Sequence, residues 1–206
     1  MQAFTRQRVP GTQDQLWLLE HAPVYTLGQG ADVLHLLNSQ NISVVRSDRG
    51  GQVTYHGPGQ LMFYLLADLR ALGIGVRALV ESLEQAVIAL LSEFDIAGSG
   101  DRAAPGVYVE GAKIAALGLR VSRGCCYHGL CFNYQLDLSP FSGINPCGYE
   151  NLPVTDLATL LAAKPQYALP TRQVLAARLT EQLRCKLNYQ ATSQVQLSWP
   201  HPSIEA

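Results

Sequence analysis

Residues 49–60 read RGGQVTYHGPGQ, and residues 61–67 continue as LMFYLLA. Of the first twelve residues four are glycine, one is proline and none is acidic. Such a segment has little side chain to bury, and glycine lets its backbone adopt positive φ and approach a ligand closely. Its middle, VTYH, has good strand propensity and reads as a short strand at the floor of a binding site. A plain glycine-rich hairpin accounts for the same residues.

Working outward, residues 42–46 and 61–67 read as strands on either side of a strand at 52–55. Upstream, residues 15–27 carry two apolar runs, LWLL and VYTL, split by EHAP. They form two strands, or one strand and its continuation, before the turn GQG at 28–30. Downstream the period changes. Val76, Leu79, Val80, Leu83, Val87, Leu90, Leu91 and Phe94 share one face of a helix, with Glu81, Glu84, Gln85 and Ser92 on the opposite face. Residues 107–109, the turn 110–112 and residues 113–121 read as strand, tight turn and strand, followed by a strand at 126–136. Residues 139–150 form a loop rich in Pro, Gly and Asn, and two helices, 155–163 and 171–187, each open on a threonine cap. This order predicts an α/β (α+β) fold with a mixed, mostly antiparallel sheet. No repeat and no compositional break divides it. Residues 1–189 are expected to form a single domain and 190–206 a weakly ordered tail.

The chain has 206 residues, 48% apolar and 15% charged, enough to bury a sizeable core and too apolar for wholesale disorder. A net charge of −1 argues against bulk electrostatic binding of nucleic acid. The longest apolar run, 61–67, is far too short to span a bilayer. Five cysteines without a secretory leader point to free thiols and the cytoplasm.

Positive charge is carried by twelve arginines and three lysines, and Lys113 is the one lysine before residue 164. Cys147 lies in INPCG, framed by Pro146 and Gly148, a setting that exposes a thiol rather than packing it. An incidental loop thiol would look the same. A nucleophilic cysteine needs a base or a positive charge nearby, and His56, His128 and Lys113 are the candidates. Lys113 opens the strand AKIAALGLRV, where an ordinary lysine would cap a strand end in solvent. Cys125, Cys126, Cys131 and His128 have poor spacing for zinc, because adjacent strand residues point to opposite faces. The run 57–60, GPGQ, lacks the lysine of a phosphate-binding loop. Neither a metal nor a cofactor is expected.

Four blocks, SDRGGQVTYHGPGQ (47–60), APGVYVEGAKIAALGLRV (104–121), HGLCFNYQLDLSPF (128–141) and INPCG (144–148), together resemble the octanoyltransferases of lipoate synthesis, also called lipoyl(octanoyl) transferases. They occur in that family's order, and the likeness runs from about Leu16 to Thr155. The resemblance implies a biotin/lipoate protein ligase-like catalytic domain whose sheet lines the acyl site with helices outside. It implies transfer of an octanoyl group from octanoyl-acyl carrier protein to a lysine of lipoyl domains, in 2-oxoacid dehydrogenase complexes and the glycine cleavage H protein, as the first step of endogenous lipoate biosynthesis. Cys147 would carry the acyl group as a thioester. Lys113 would lower the pKa of that cysteine and act as general base. Substrate contacts would come from Arg49, Gly50, Gly51, Gln52, Val53, Thr54, Tyr55 and His56, from Ala116, Leu117 and Gly118, and from Gly129, Leu130 and Cys131. A monomer is expected. Because carrier proteins are acidic, Arg46, Arg49, Arg120 or Arg123 would form a docking patch. The family usually has a further N-terminal segment that includes a strand, so the expectation is either a late start or a sheet without that edge strand. The rival readings are an ATP-dependent lipoate or biotin ligase on the same fold, a non-catalytic acyl-binding module, and a Cys–His hydrolase using His56 or His128.

Overall fold

The computed structural model describes residues 1–39 and 41–190. A helix α1 (Gln2–Gln7) precedes strands β1 (Gln15–Leu19), β2 (Val24–Leu27), β3 (Ser43–Arg46), β4 (Val53–His56) and β5 (Gln60–Asp68). Two helices follow, α2 (Leu69–Leu72) and α3 (Val76–Ser92), then β6 (Ser99–Gly100), β7 (Gly106–Val109), β8 (Ala112–Ser122) and β9 (Cys125–Asn133). Helices α4 (Leu157–Ala162) and α5 (Arg172–Lys186) close the fold. The sequence pattern did not signal α1. Of the tail expected at 190–206, residues 191–206 lie outside the described residues.

The strands make two sheets. Six form an antiparallel sheet in the order β1-β5-β9-β8-β7-β6, and three form a smaller one in the order β3-β2-β4. In the small sheet β2 runs parallel to β3 and antiparallel to β4. The apolar runs at 15–27 are therefore two strands in two different sheets, separated at Glu20–Pro23. The hairpins β7–β8 and β8–β9 turn on Glu110-Gly111 and Arg123-Gly124, all four at positive φ. That is the pair of left-handed residues a tight two-residue hairpin requires.

Period-two alternation gives the large sheet one helix-covered face and one open face. Leu61, Phe63, Leu65 and Ala67 of β5 join Cys126, Leu130 and Phe132 of β9 in a core beneath α3 and α5. Met62 and Tyr64 point the other way, into a cleft closed by the small sheet. On α3, Leu79, Leu83, Val87, Leu90 and Leu91 are fully buried, as the helical spacing predicts. Glu84 departs from that pattern. Expected on the solvent face, it is only 8% exposed, because β6 and β7 pack against that side of the helix. Thr171 caps α5 as expected, but α4 is capped by Asp156, which accepts the Thr159 N–H at 2.8 Å. Thr155 lies one residue too early and is tied to the sheet, its N–H donating to the Lys113 carbonyl at 3.0 Å and its carbonyl accepting from Asn133 Nδ2 at 2.9 Å. Among the described residues no helix is long and apolar enough to cross a membrane.

Candidate active site

Lys113 is the second residue of β8, at the end where the pairing with β9 has stopped. The chain at 153–155 takes over there: the Lys113 N–H donates to the Pro153 carbonyl at 2.8 Å, and Lys113 bridges Val154 in parallel. With its backbone paired, the side chain is aimed inward and is only 3% exposed. Its Nζ donates to Cys147 Sγ at 2.9 Å and to the Pro105 carbonyl at 3.4 Å, and lies 4.9 Å from the centroid of the Tyr108 ring. Burial pulls the pKa of Lys113 down, but the cysteine beside it and Tyr108 outweigh that and hold it above its ordinary value. The ammonium form is the one favoured here. Lysine as a solvent-facing strand cap is thus not what the fold makes of this residue.

Cys147 sits in a short 3-10 turn, Pro146–Gly148, with φ 58°. Gly148 follows at φ 81°. A non-glycine residue in this region costs on the order of 1 kcal/mol and persists when its surroundings hold it there. Here the loop is tied to the segment after β2: the Asn145 N–H donates to the His35 carbonyl at 2.8 Å, Leu36 bridges Ile144, and the Gly143 carbonyl accepts from Leu37 and Asn38. The strained turn presents the sulfur to Lys113 and to the cleft.

The cleft encloses about 590 Å³ when the open space at its mouth is included. Of the positions expected to contact substrate, Arg49, Gly51, Gln52, Val53, Thr54, His56, Ala116, Leu117, Gly118, Gly129, Leu130 and Cys131 line it, and so does Cys147. Gly50 and Tyr55 do not. The Gly50 N–H is used to dock the glycine-rich segment on the Leu119 carbonyl at 2.9 Å. Tyr55 lies on the opposite face of β4, packed against Tyr25 and Phe141 with ring centroids 5.6 Å away in each case. Thr26, Ser47, Met62, Tyr64 and His128 also line the cleft and were not foreseen as contacts. A small recess adjoins it, shared at Thr54, Ala116, Cys131 and Cys147 and lined further by Lys113, Gln60 and Asn133.

Arg49 is 9% exposed, and among the described residues no carboxylate pairs with it. Its guanidinium instead donates to the carbonyls of Gly50, Thr26 and Gln52 at 2.9, 2.7 and 2.8 Å, which fixes the path of the glycine-rich segment. A buried guanidinium cannot also dock a carrier protein, so Arg49 leaves the proposed patch. Arg46 and Arg123 are exposed, and Arg120 bonds Gln29.

From Arg49 a buried relay crosses the molecule. Arg49 donates to Thr26 Oγ1 at 2.8 and 3.1 Å, which contacts His56 Nε2 at 3.2 Å. His56 Nδ1 reaches Gln60 Oε1 at 2.7 Å, Gln60 Nε2 donates to Asn133 Oδ1 at 2.8 Å, and Asn133 Nδ2 donates to the Thr155 carbonyl at 2.9 Å. Arg49 can only donate and the carbonyl can only accept, so every bond between them has one direction. His56 must be neutral, protonated on Nδ1, with Nε2 accepting from the Thr26 hydroxyl. Burial agrees, pushing the pKa of His56 down to about 3. With its lone pair occupied, His56 is not placed as the base of a Cys–His pair. His128 is likewise engaged, with Nε2 2.8 Å from Asp48 Oδ1, and among the described residues the hydrogen-bond partner of the Cys147 sulfur is Lys113. No group of three or more His, Cys, Asp or Glu among the described residues is arranged to hold a metal ion.

Comparison with known proteins accords with this architecture. Residues 1–182 match the lipoyl protein ligase A/B catalytic domain. The chain is 59% identical to an octanoyltransferase of Thiobacillus denitrificans over 160 residues, 78% of this chain and 73% of that one. It is 50% identical to an octanoyltransferase of Nitrosomonas eutropha over 189 residues, 92% of this chain and 81% of that one. In three dimensions it resembles the bi-partite lipoate protein ligase from Thermoplasma acidophilum, with a TM-score of 0.71 at 14% identity, over 98% of this chain and 80% of that one. That likeness speaks for the fold, and the sequence identities for the family: the chain belongs to the lipoyl protein ligase A/B catalytic domain family and, within it, to the octanoyltransferases.

Proposed function

We propose that this protein transfers the octanoyl group from octanoyl-acyl carrier protein to a lysine of lipoyl domains through a thioester on Cys147. The observation that carries the reading is the 2.9 Å approach of Lys113 Nζ to Cys147 Sγ at the inner wall of the cleft. An ammonium this close favours the anionic sulfur, which is the nucleophilic form. In the first half-reaction the thiolate attacks the octanoyl thioester carbonyl. The C–S bond to the carrier breaks, and the departing sulfur takes a proton from Lys113. Lys113 is then neutral. In the second half the acceptor's amine attacks the Cys147 thioester, Lys113 accepts the amine proton, and the Cys147 thiolate leaves as the amide forms. The cycle ends with thiolate and ammonium restored.

The cleft suits the acyl chain. Burying the chain's six methylenes contributes up to about 5 kcal/mol at ~0.8 kcal/mol each, less the costs of association. Gly51, Ala116 and Gly118 leave room along its wall. The protein would act as a cytoplasmic monomer, with residues 1–189 as one catalytic domain and with no cofactor. The test is intact-protein mass spectrometry after incubation with octanoyl-acyl carrier protein. The expected result is an octanoyl adduct on the wild type, lost in Cys147→Ala and discharged by a lipoyl domain. Turnover without any adduct would sink the covalent route, and ATP-dependent activity of Cys147→Ser with free octanoate would favour a ligase instead.

A further inference from the structure

Glu84 is a carboxylate on the side of α3 that β6 and β7 cover, where an apolar residue would be less costly to bury. It lies beneath the edge of the large sheet, and its Oε1 accepts the Gly106 N–H at 2.9 Å. Gly106 is the wall along which Lys113 runs. A Cβ at that position would stand 3.1 Å from Lys113 Cε and 3.2 Å from Nζ. The neighbouring residues supply the rest of the ammonium's seat. The Pro105 carbonyl accepts from Nζ, and the Ala104 carbonyl accepts the Tyr108 hydroxyl at 2.6 Å, fixing the ring that lies against the ammonium. Gly106, Pro105 and Ala104 are thus consecutive residues that all touch Lys113 or its aromatic support, and Glu84 ties this stretch to the long helix.

We propose that Glu84 is a positioning residue for the Lys113–Cys147 pair: by holding the Gly106 N–H it seats residues 104–108 around Lys113 and aims the ammonium at the sulfur. This rests on the reading of Lys113 and Cys147 given above, which makes no use of Glu84. The charged and titratable groups around the assembly are Glu81 and Asp101 on the Glu84 side, Tyr108 against Lys113, and Arg49 and Cys131 on the cleft side of Cys147. None of these replaces Glu84 as acceptor for Gly106.

The experiment is alkylation by iodoacetamide, followed at Cys147 by peptide mass mapping across a range of pH, so that the other four cysteines do not interfere. Lys113→Ala is expected to slow Cys147 alkylation about tenfold or more at neutral pH and to move its pH dependence upward. Glu84→Ala should slow it about three- to tenfold in the same sense, and Glu84→Gln, which keeps an oxygen for Gly106, should restore most of the rate. In a Lys113→Ala background, Glu84→Ala should add nothing, because it acts through that lysine. If Glu84→Ala fails to fold, Glu84→Met fills the volume without an acceptor and carries the same expectations. An unaffected rate in the Glu84 variants, or an equal slowing with and without Lys113, overturns the proposal while leaving the pair intact. An unaffected rate in Lys113→Ala overturns the reading of the pair and this proposal with it.

Discussion

His56 makes the protein sensitive to acid in a way that can be calculated. Its imidazole is 6% exposed, and burial, reinforced by Arg49, His21 and His128, outweighs the bond to Gln60 and sets its pKa at about 3. In the unfolded chain it titrates near 6.5. Between these two values the unfolded chain binds the extra proton, so stability present above about pH 6.5 is lost as the pH falls. Taking about 1.4 kcal/mol per unit, acidification from about pH 7 to about pH 5 costs roughly 2 kcal/mol through this residue alone. That is a sizeable share of a total of about 5–15 kcal/mol. The structural event is loss of the relay, since a proton on Nε2 turns an acceptor into a donor facing a hydroxyl that already accepts twice from Arg49. The assay is urea unfolding at both pH values for the wild type and His56→Gln. The variant is expected to be less stable at neutral pH but to lose about 2 kcal/mol less on acidification. His21 and His128, whose pKa values burial also lowers, are common to both proteins and cancel. Equal losses in the two proteins would refute the neutral, relay-bound imidazole.

Thr26→Val removes the hydroxyl that accepts twice from Arg49 and donates to His56, and should cost about 2–4 kcal/mol in denaturant unfolding. Gly59→Ala should lower the melting temperature by several degrees, about 2 kcal/mol or more, because a Cβ there meets the Gln135 carbonyl oxygen at 1.9 Å with φ at 89°. Lys113→Ala should slow formation of the octanoyl adduct about a hundredfold in rapid-quench mass spectrometry, the scale of a lost proton-transfer group. An unchanged rate would remove Lys113 from the chemistry.

Much of the fold is local and was legible. Alternation in β5 separates Leu61, Phe63 and Leu65 from Met62 and Tyr64, and the spacing of α3 marks its buried stripe. The glycine-rich segment reads as backbone near a ligand, and it does border the cleft. Tyr55 was misplaced, since the regular alternation of VTYH sends it to the far side of the small sheet, opposite Thr54 and His56. Gln60 and Asn133 drew no reading from the sequence, because their partners come from β4 and from the chain at 155. Glu84 was assigned to solvent because a helical wheel cannot know that a sheet edge will cover the second face.

What the sequence determined by itself is whatever depends on neighbouring residues: the strand and helix periods, the hairpin glycines, a thiol between proline and glycine, and a conspicuous lysine at the start of a strand. The tertiary structure decided which of these meet. Lys113 and Cys147 are 34 residues apart and become partners because the chain at 153–155 extends the sheet past β9 and carries the preceding loop over the strand. The same packing buries Arg49 instead of exposing it, and orders the donors from Arg49 to Thr155 in one direction. Contacts of this kind depend on burial and on the pairing of distant backbone groups, neither of which a local pattern contains.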